Sequence, residues 1–349
     1  MTSDRKTVAK PGPRNTIADV AGVKVGQAHD AAARTGVTVI LPDRPATAAA
    51  DIRGGGPGTR ETDVLHAAGV NQKADAIVLA GGSVYGLDAA SAATAWLGAR
   101  GRGFRLVDGG AWPGSPIVPA AILYDLANGG DKTWGETPPY AALGGAACSA
   151  ADVDVALGNA GAGYGAVAGA LKGGLGSASA VTPDGFSVGA IVAVNAFGST
   201  VMAPNGAFWA WPFECEAEFG GRRPPADWTG AGVDLPDDTK LGVDRPGFAT
   251  TIGVVAVNAA LTPGEVKRIA VMAQDGLARA IRPVHAMVDG DAVFALATDE
   301  AIVSGPRAYI VTRLGAIAAD CLARAVARGV YAAETLGDAQ AYRDAFPDP

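Results

Sequence analysis

The sequence predicts a layered α/β fold with mixed sheets covered by helices. Continuous apolar runs rich in β-branched residues, at 187–195 and 252–257, are typical of buried strands. Apolar residues at helical spacing over 266–281 and 308–328 predict two amphipathic helices. Apolar residues make up 49% of the chain, which is enough to fill a large core between such layers.

The first half of the chain predicts alternating strands and helices. Residues 1–14 are expected to be a disordered lead-in, and 15–26 a strand pair that turns at Ala21 and Gly22. The further elements predicted there are strands at 35–42, 46–52, 75–82 and 105–108, and helices at 89–97 and 116–128.

The second half contains a long loop and the two amphipathic helices. Pro, Gly and charged residues over 211–248 predict the loop. The motif Thr-Pro-Gly-Glu at 262–265 predicts a capped helix start, and Gly329 predicts the end of the last helix. A strand is predicted at 292–298, after a turn-like Asp-Gly-Asp motif.

Composition excludes several classes of function. The net charge is −7 and no basic cluster is present, which argues against nucleic acid or an anionic membrane as partner. No apolar run suits a signal peptide or a membrane span. Three scattered cysteines fit a reducing cytoplasm and suggest no metal site, and no cofactor motif is present.

The sequence lacks the residues and spacings that two common types of functional site require. Its three histidines have no ligand spacing, so neither a zinc site nor a histidine-based triad is expected. The glycine-rich stretch 53–62 lacks the lysine and the spacing of a phosphate-binding loop. We therefore expect it to be a tight structural loop close to the functional site.

Thr250 and Thr251 stand where the long loop enters the strand at 252–257. A hydroxyl there would be fixed by the strand and exposed by the loop, as a nucleophile requires. The alternative is that both are ordinary residues at the start of a strand.

Lys172 and Asn195 are further candidate site residues. Lys172 is the only charge in the Gly/Ala-rich stretch 158–177, where burial would favour its neutral form, although a surface lysine is the alternative. Asn195 ends a predicted strand, so its amide could donate to an oxyanion or simply form a turn.

Two tyrosines and two aspartates complete the set. Tyr85 follows a strand in a Gly-rich turn and Tyr124 precedes an aspartate; each could donate to a reacting oxygen or merely pack. Asp289 and Asp291 flank a glycine and could share one pocket or form a hairpin turn.

Taken together, these motifs resemble the L-aminopeptidase/D-Ala-esterase/amidase (DmpA-type) family, which includes β-peptidyl aminopeptidases and nylon-oligomer (6-aminohexanoate) endohydrolases. The resemblance spans residues 15–328. Its motifs are Ile-Arg-Gly-Gly at 52–55, Pro-Gly-Thr-Arg-Glu-Thr at 57–62, Leu-Ala-Gly-Gly-Ser at 79–83, Tyr-Gly-Leu at 85–87, Ile-Leu-Tyr-Asp at 122–125, Gly-Ala-Gly at 161–163, Lys-Gly-Gly-Leu-Gly at 172–176, Val-Asn at 194–195, Thr-Thr-Ile at 250–252 and Asp-Gly-Asp at 289–291.

The resemblance implies an αββα sandwich like that of N-terminal-nucleophile (Ntn) hydrolases, and a precursor that cuts itself. The cut would fall between Ala249 and Thr250, giving chains 1–249 and 250–349 that together form one catalytic domain. The freed α-amine, with a reference pKa near ~7.7, could then act as base to its own hydroxyl. Such an enzyme needs no histidine.

Site roles follow from the same resemblance. Thr250 would be the nucleophile, and Lys172 would lower the pKa of the amine or help to remove the proton. Asn195 and Tyr124, with Tyr85 as a weaker candidate, would stabilise the oxyanion. Asp289 and Asp291 would orient the amine or bind a substrate amino group.

The implied substrates are small peptides, β-peptides, D-amino-acid amides or nylon oligomers, and the acidic pair Asp289 and Asp291 leans towards nylon oligomers. A tetramer of cleaved protomers is also implied. Ala249 departs from the Asn, Asp or Gly often found there, which predicts slower self-cleavage. The alternatives are an ornithine acetyltransferase-like acyl transferase and a non-catalytic oligomeric binding protein.

Overall fold

A computed structural model describes residues 8–107, 109, 111–230, 232, 234–245 and 248–347. Over these residues the chain folds as a four-layered αββα sandwich. Residues 1–7 of the expected disordered lead-in lie outside the described residues, as do 246–247 in the long loop. The layered α/β prediction and the αββα sandwich implied by the resemblance are both confirmed.

Strands predominate before the long loop, and two strands alternate with two long helices after it. Over the described residues the strands are β1 (Val23–Asp30), β2 (Thr35–Pro42), β3 (Ala46–Ile52), β4 (Thr59–Arg60), β5 (Lys73–Ala74), β6 (Ile77–Ala80), β7 (Ala120–Ile122), β8 (Val167–Ala168), β9 (Leu171–Lys172), β10 (Gly174–Val181), β11 (Ser187–Asn195), β12 (Val201–Met202), β13 (Ala207–Phe208), β14 (Thr250–Ala259) and β15 (Ala292–Ala301). The helices are α1 (Asp88–Gly98), α2 (Tyr140–Ser149), α3 (Pro263–Ala280), α4 (Arg307–Tyr331) and α5 (Tyr342–Ala345).

Two mixed sheets form the middle of the sandwich. The larger has the order β10-β11-β14-β15-β3-β5, and the smaller has the order β1-β2-β6-β7-β4. The pairs β14–β15 and β6–β7 are parallel, and the other pairs in these two sheets are antiparallel. Strand β14 lies inside the larger sheet, between β11 and β15.

Three apolar cores lie between the four layers, and the side chains of β14 contribute to two of them. Ile252 and Val254 belong to the core between the sheets, whereas Val255 and Val257 pack with helices α3 and α4. Successive strand side chains point to opposite faces, so a strand buried on both faces is apolar throughout. The third core lies between the smaller sheet and helices α1 and α2.

Several predicted elements match closely. The strands at 35–42, 46–52 and 187–195 have the predicted bounds. Helix α3 starts with the predicted capping box, in which the Thr262 side chain accepts from the Glu265 N–H. Strand β15 and helix α4 cover the remaining predicted strand and helix of the second half.

Five local predictions were wrong. Residues 8–14 of the expected disordered lead-in are ordered, since Lys10 exchanges two backbone hydrogen bonds with Val181 of β10. Residues 15–26 contain a 3-10 turn at Ile17–Asp19 followed by β1, not a strand pair. The helix predicted over 116–128 is instead the short strand β7 with turns. Residues 105–107 are not a strand, and Asp108 lies outside the described residues. Helix α4 runs past Gly329 to Tyr331, because that glycine packs within the helix against Gly176 of β10.

Candidate active site

Thr250 is the first residue of β14 and is only 4% exposed. It pairs with Asn195 at the end of β11. By strand alternation its side chain shares a face with Ile252, towards the space between the sheets, and Thr251 faces the helices. Of the two candidate hydroxyls, the one at Thr250 therefore lies on the face shared with the smaller sheet.

The peptide carbonyl before Thr250 is held by two donors. The Thr250 Oγ1 hydroxyl donates to the carbonyl oxygen of Ala249, and the Gly290 N–H donates to the same oxygen at 3.0 Å. The Ala249 N–H in turn donates to the carbonyl of Val288 at 3.2 Å. The 249–250 peptide is thus fixed with its own hydroxyl beside its carbonyl.

Gly290 has no room for a side chain. A Cβ atom there would lie 2.7 Å from Thr250 Oγ1 and 2.8 Å from the carbonyl oxygen of Gly56. The glycine-rich loop 53–62 packs here, with the Gly56 N–H donating to the Asp289 carbonyl at 2.8 Å and the Arg53 N–H to the Asp291 carbonyl at 3.0 Å. The expectation of a tight structural loop is confirmed, and this loop packs against the predicted site residues Asp289 and Asp291.

The two aspartates are buried and have separate partners. Asp289 accepts from the N–H groups of Phe197 at 3.2 Å and Ala286 at 2.9 Å. Burial, together with the nearby charge of Asp291, raises the pKa of Asp289 well above its ordinary value. Asp291 accepts from the Thr251 N–H at 2.7 Å and lies 2.8 Å from Nδ1 of His285.

His285 is a site residue that the sequence reasoning missed. The spacing of the histidines gives no reason to expect it in a site, yet it contacts one of the predicted aspartates. Its backbone N–H also donates to Asp291 at 3.0 Å, so both contacts hold the carboxylate that accepts from Thr251 of β14. His285 is thus part of the support of the site.

Lys172 is buried, with 1% of its surface exposed, so the surface-lysine alternative is wrong. Its Nζ donates to the carbonyls of Gly163 at 3.2 Å and Gly173 at 2.8 Å. Burial lowers the pKa of Lys172 to about 7, against the opposing attraction of Asp125. A lysine in this state can take up or release a proton near neutral pH.

Asn195 and Tyr124 come together, whereas Tyr85 lies elsewhere. The Asn195 amide donates to the Tyr124 carbonyl at 2.9 Å, and its oxygen accepts from the Val167 N–H at 2.9 Å. The ring of Tyr124 packs against Phe248, with centroids 5.2 Å apart. Tyr85 is 48% exposed and packs against Trp134, outside the pocket described next.

A pocket of about 230 Å³ lies at this end of the sandwich. Its lining includes three of the predicted residues, Lys172, Asn195 and Tyr124. It also includes Asp125, which is buried, accepts from the Thr35 hydroxyl and the Gly82 N–H at 2.7 Å each, and has its pKa raised by burial to about 6. The predicted residues other than Tyr85 surround this pocket or the 249–250 peptide beside it.

Lys240 in the long loop is a second buried lysine that the sequence reasoning missed. Its Nζ donates to the carbonyl of Asn195 at 3.1 Å, to the side-chain oxygen of Asn195 at 3.3 Å and to the carbonyl of Phe248 at 3.2 Å. Burial lowers its pKa to about 7. Lysines in polar loops are normally exposed, so no local signal marked this one.

No group of three or more His, Cys, Asp or Glu side chains in the described part of the chain is placed to hold a metal ion. None of the described helices is long and apolar enough to cross a membrane. What the site offers is a hydroxyl beside a fixed carbonyl, backbone and amide donors, and two buried amines with pKa values near neutrality. These are the groups required for acyl transfer from an amide.

Comparisons with known proteins agree with this chemistry. An uncharacterized aminopeptidase of Mycobacterium tuberculosis is 45% identical over 350 residues, covering 95% of this chain and 98% of that protein. A 6-aminohexanoate-oligomer endohydrolase of a Kocuria strain is 31% identical over 340 residues, covering 93% of this chain and 88% of that protein.

Solved structures show the same fold. A Burkholderia β-aminopeptidase superposes with a TM-score of 0.66 at 23% identity, covering 93% of this chain and 89% of that one. The L-aminopeptidase D-Ala-esterase/amidase of Ochrobactrum anthropi, a variant of the Ntn hydrolase fold, gives 0.64 at 22%, covering 94% and 88%. The profile of peptidase family S58 matches residues 15–343. The chain therefore belongs to peptidase family S58, and it is an amide-bond hydrolase.

Proposed function

We propose that this hydrolase matures by cutting its own Ala249–Thr250 bond and then uses Thr250 as an N-terminal nucleophile. The observation that carries the proposal is the contact of the Thr250 hydroxyl with the Ala249 carbonyl, whose oxygen also accepts the Gly290 N–H. The proposed nucleophile and a donor for the oxyanion thus both contact the carbonyl oxygen of the same peptide.

The maturation step is an N→O acyl shift followed by hydrolysis. Thr250 Oγ1 attacks the carbonyl carbon of Ala249 and loses its proton, and the Gly290 N–H stabilises the resulting oxyanion. The C–N bond breaks, the nitrogen of Thr250 takes up a proton, and an ester remains. Water then cleaves the ester, leaving a carboxylate on Ala249 and a free amine and hydroxyl on Thr250.

In turnover the new α-amine accepts the proton of the Thr250 hydroxyl, helped by Lys172. Asn195 and Tyr124 are the proposed oxyanion donors for the substrate. In the uncleaved chain one N–H of the Asn195 amide donates to the Tyr124 carbonyl, which leaves its second N–H for the substrate.

Asp289 accepts from the backbone N–H groups of Phe197 and Ala286. Asp291 accepts from those of Thr251 and His285, and we propose that the two carboxylates orient the amine.

Alanine suits the position before the nucleophile in this structure. Ala249 is extended and forms a parallel bridge with Asp289, and it is not among the residues with positive φ. No glycine is needed to reach this conformation. The support for self-cleavage therefore comes from the fixed peptide and not from a strained turn.

The proposed substrates are amides of small peptides, β-peptides or 6-aminohexanoate oligomers. The names of the matched relatives, two kinds of aminopeptidase and an oligomer endohydrolase, support this range. The test is a denaturing gel and mass spectrometry of purified protein, followed by amino-acid p-nitroanilides and aminohexanoate oligomers. Terminal sequencing that finds a new amine at Thr251 would contradict the assignment.

Substitution of Gly290 by alanine is expected to slow self-cleavage on the order of tenfold to a hundredfold. The new Cβ would have to move Thr250 Oγ1 or the Gly56 carbonyl, each less than 3 Å away. The measurement is the time course of the two fragments on a denaturing gel. Gly145→Ala is the matched control, since a Cβ there has open space. Equal rates in all three proteins would contradict the role of Gly290.

The two fragments are expected to co-elute throughout purification. Strands β14 and β15 belong to the small fragment and lie between β11 and β3 of the large one, so separation would open the larger sheet. We also propose a homo-oligomer, most simply a tetramer of cleaved protomers, to be measured by light scattering. A particle of 34.7 kDa, or fragments that separate without denaturant, would contradict this prediction.

A further inference from the structure

Lys240 has no role in the chemistry proposed so far, yet its amine contacts Asn195 twice. The Nζ donates to the backbone carbonyl of Asn195 at 3.1 Å and to its side-chain oxygen at 3.3 Å. One amine thus bonds both the backbone and the side chain of the same residue. Its third contact is to the carbonyl of Phe248 at 3.2 Å. Lys240 is 3% exposed and Asn195 is 1% exposed, so water has little access to these contacts.

The contacts of the Asn195 side chain determine which end of its amide faces which neighbour. The oxygen accepts from the Val167 N–H at 2.9 Å and from Lys240, and the nitrogen donates to the Tyr124 carbonyl at 2.9 Å. An amide turned the other way would place its NH2 group against two donors and its oxygen against a carbonyl, which would break all three hydrogen bonds. The NH2 group therefore stays on the Tyr124 side, with one N–H bonded there and the second left for another acceptor.

The two contacts of Lys240 with Asn195 do not depend on the bond that is cut. Both residues lie in the fragment 1–249, whereas Phe248 would be the last residue but one of that fragment. Burial lowers the pKa of Lys240 to about 7, and a neutral amine still has two N–H groups, enough for the two oxygens of Asn195. The lysine can therefore hold Asn195 in the mature enzyme in either charge state.

We propose that Lys240 is a positioning residue for the oxyanion donor: it holds Asn195 by both of its oxygens, so that the second N–H of the amide meets the oxyanion formed at Thr250. Asn195 pairs with Thr250 across β11 and β14, so a rotation of the amide changes its distance to the reacting atoms. A misplacement of about 1 Å can cost about a hundredfold in rate. This inference rests on the proposed function, in which Asn195 supplies an oxyanion donor.

The backbone holds the loop around Lys240 independently of the amine. The Lys240 N–H donates to the Phe197 carbonyl at 3.0 Å, and the Lys240 carbonyl accepts from the Arg245 N–H at 2.9 Å. Methionine fills a similar volume, so Lys240→Met should keep the loop in place and remove only the contacts of the amine. Lys24→Met is the matched control, since the side chain of Lys24 is 44% exposed and pairs with Asp43.

The test is a double-mutant cycle on processed enzyme, with kcat and KM measured on the best substrate of the panel above. Asn195→Ala is expected to lower kcat about a hundredfold to a thousandfold. Lys240→Met should lower kcat about tenfold to a hundredfold with little change in KM, and Lys240→Gln, which keeps a neutral donor, should lower it less. In the Asn195→Ala background, Lys240→Met should lower kcat by less than about twofold, because the group that it positions is gone.

Losses of kcat that multiply in the double variant would overturn the assignment, since Lys240 would then act independently of Asn195, as a simple support of the long loop would. Full kcat in Lys240→Met would overturn it as well. So would variants at either position that keep the wild-type Tm but stay uncut, because the assignment places both residues in turnover only.

Two further results separate this assignment from the proposed function. Full kcat in processed Asn195→Ala would contradict the oxyanion role of Asn195 and the assignment of Lys240 with it, and would leave Thr250 as the nucleophile. A wild-type protein that neither processes nor hydrolyses any amide would contradict the proposed function itself.

Discussion

Thr250→Ala is expected to leave the protein as a single 34.7 kDa chain on a denaturing gel and to abolish amide hydrolysis. Both results have one cause in the proposed mechanism, in which the same hydroxyl cleaves the chain and attacks the substrate. The substitution removes the atom that contacts the Ala249 carbonyl, and no other hydroxyl contacts that oxygen among the described residues. The measurements are intact mass and turnover on the substrate panel.

Two control variants separate the nucleophile from its neighbour. Thr250→Ser keeps the hydroxyl and should process and turn over. Thr251→Val should do the same, because Thr251 is buried on the helix-facing side and its hydroxyl has no hydrogen-bond partner in the described parts of the chain. Measurable turnover in Thr250→Ala, or loss of processing in Thr251→Val, would assign the nucleophile to another residue.

The sequence predicted the strands and the helix around Thr250 because the sequence patterns that indicate them are local. The β-branched runs of β11 and β14 are buried on both faces, and such strands carry an unbroken apolar pattern. The capping box of α3 is likewise a short motif. The segment 116–128 was misassigned because its apolar residues mimic helical spacing, while pairing with β6 and β4 makes it a strand. Such tertiary pairing cannot be seen in a window of one segment.

The missed site residues depend on contacts between distant parts of the chain. Lys240 is recognised only once its loop folds back on β11, and nothing nearby in sequence marks it as buried. Gly290 was noted as a turn residue, but its importance comes from its N–H and from its distance to Thr250. His285 is identified only through Asp291. Motifs thus supply candidate groups, and the fold decides which of them meet.

Lys172→Met is expected to lower kcat about a hundredfold to a thousandfold, within the range for loss of a group that moves protons in the reaction. The lysine must be neutral to accept a proton, and its pKa is about 7, so its contribution to the rate rises as the pH passes through 7. Burial also lowers the pKa of Lys240 to about 7 and raises the pKa of Asp289, and a free α-amine has a reference pKa near ~7.7. The contribution of Lys172 to the pH dependence of kcat is therefore measured as the difference between the pH profiles of wild type and variant.

The same substitution should leave the protein folded, which makes the loss of rate informative. Methionine fills a similar volume. The folded-state pKa of Lys172 is lowered, so its burial costs stability fully below pH 7 and progressively less as the pH rises towards the unfolded value. Methionine removes that cost but leaves the Gly163 and Gly173 carbonyls without this donor, so near neutral pH we expect a Tm within a few degrees of wild type. Relative to wild type, the Tm should be highest at acidic pH. An unchanged kcat with an unchanged Tm would show that Lys172 serves the packing of the Gly-rich stretch and takes no part in moving protons.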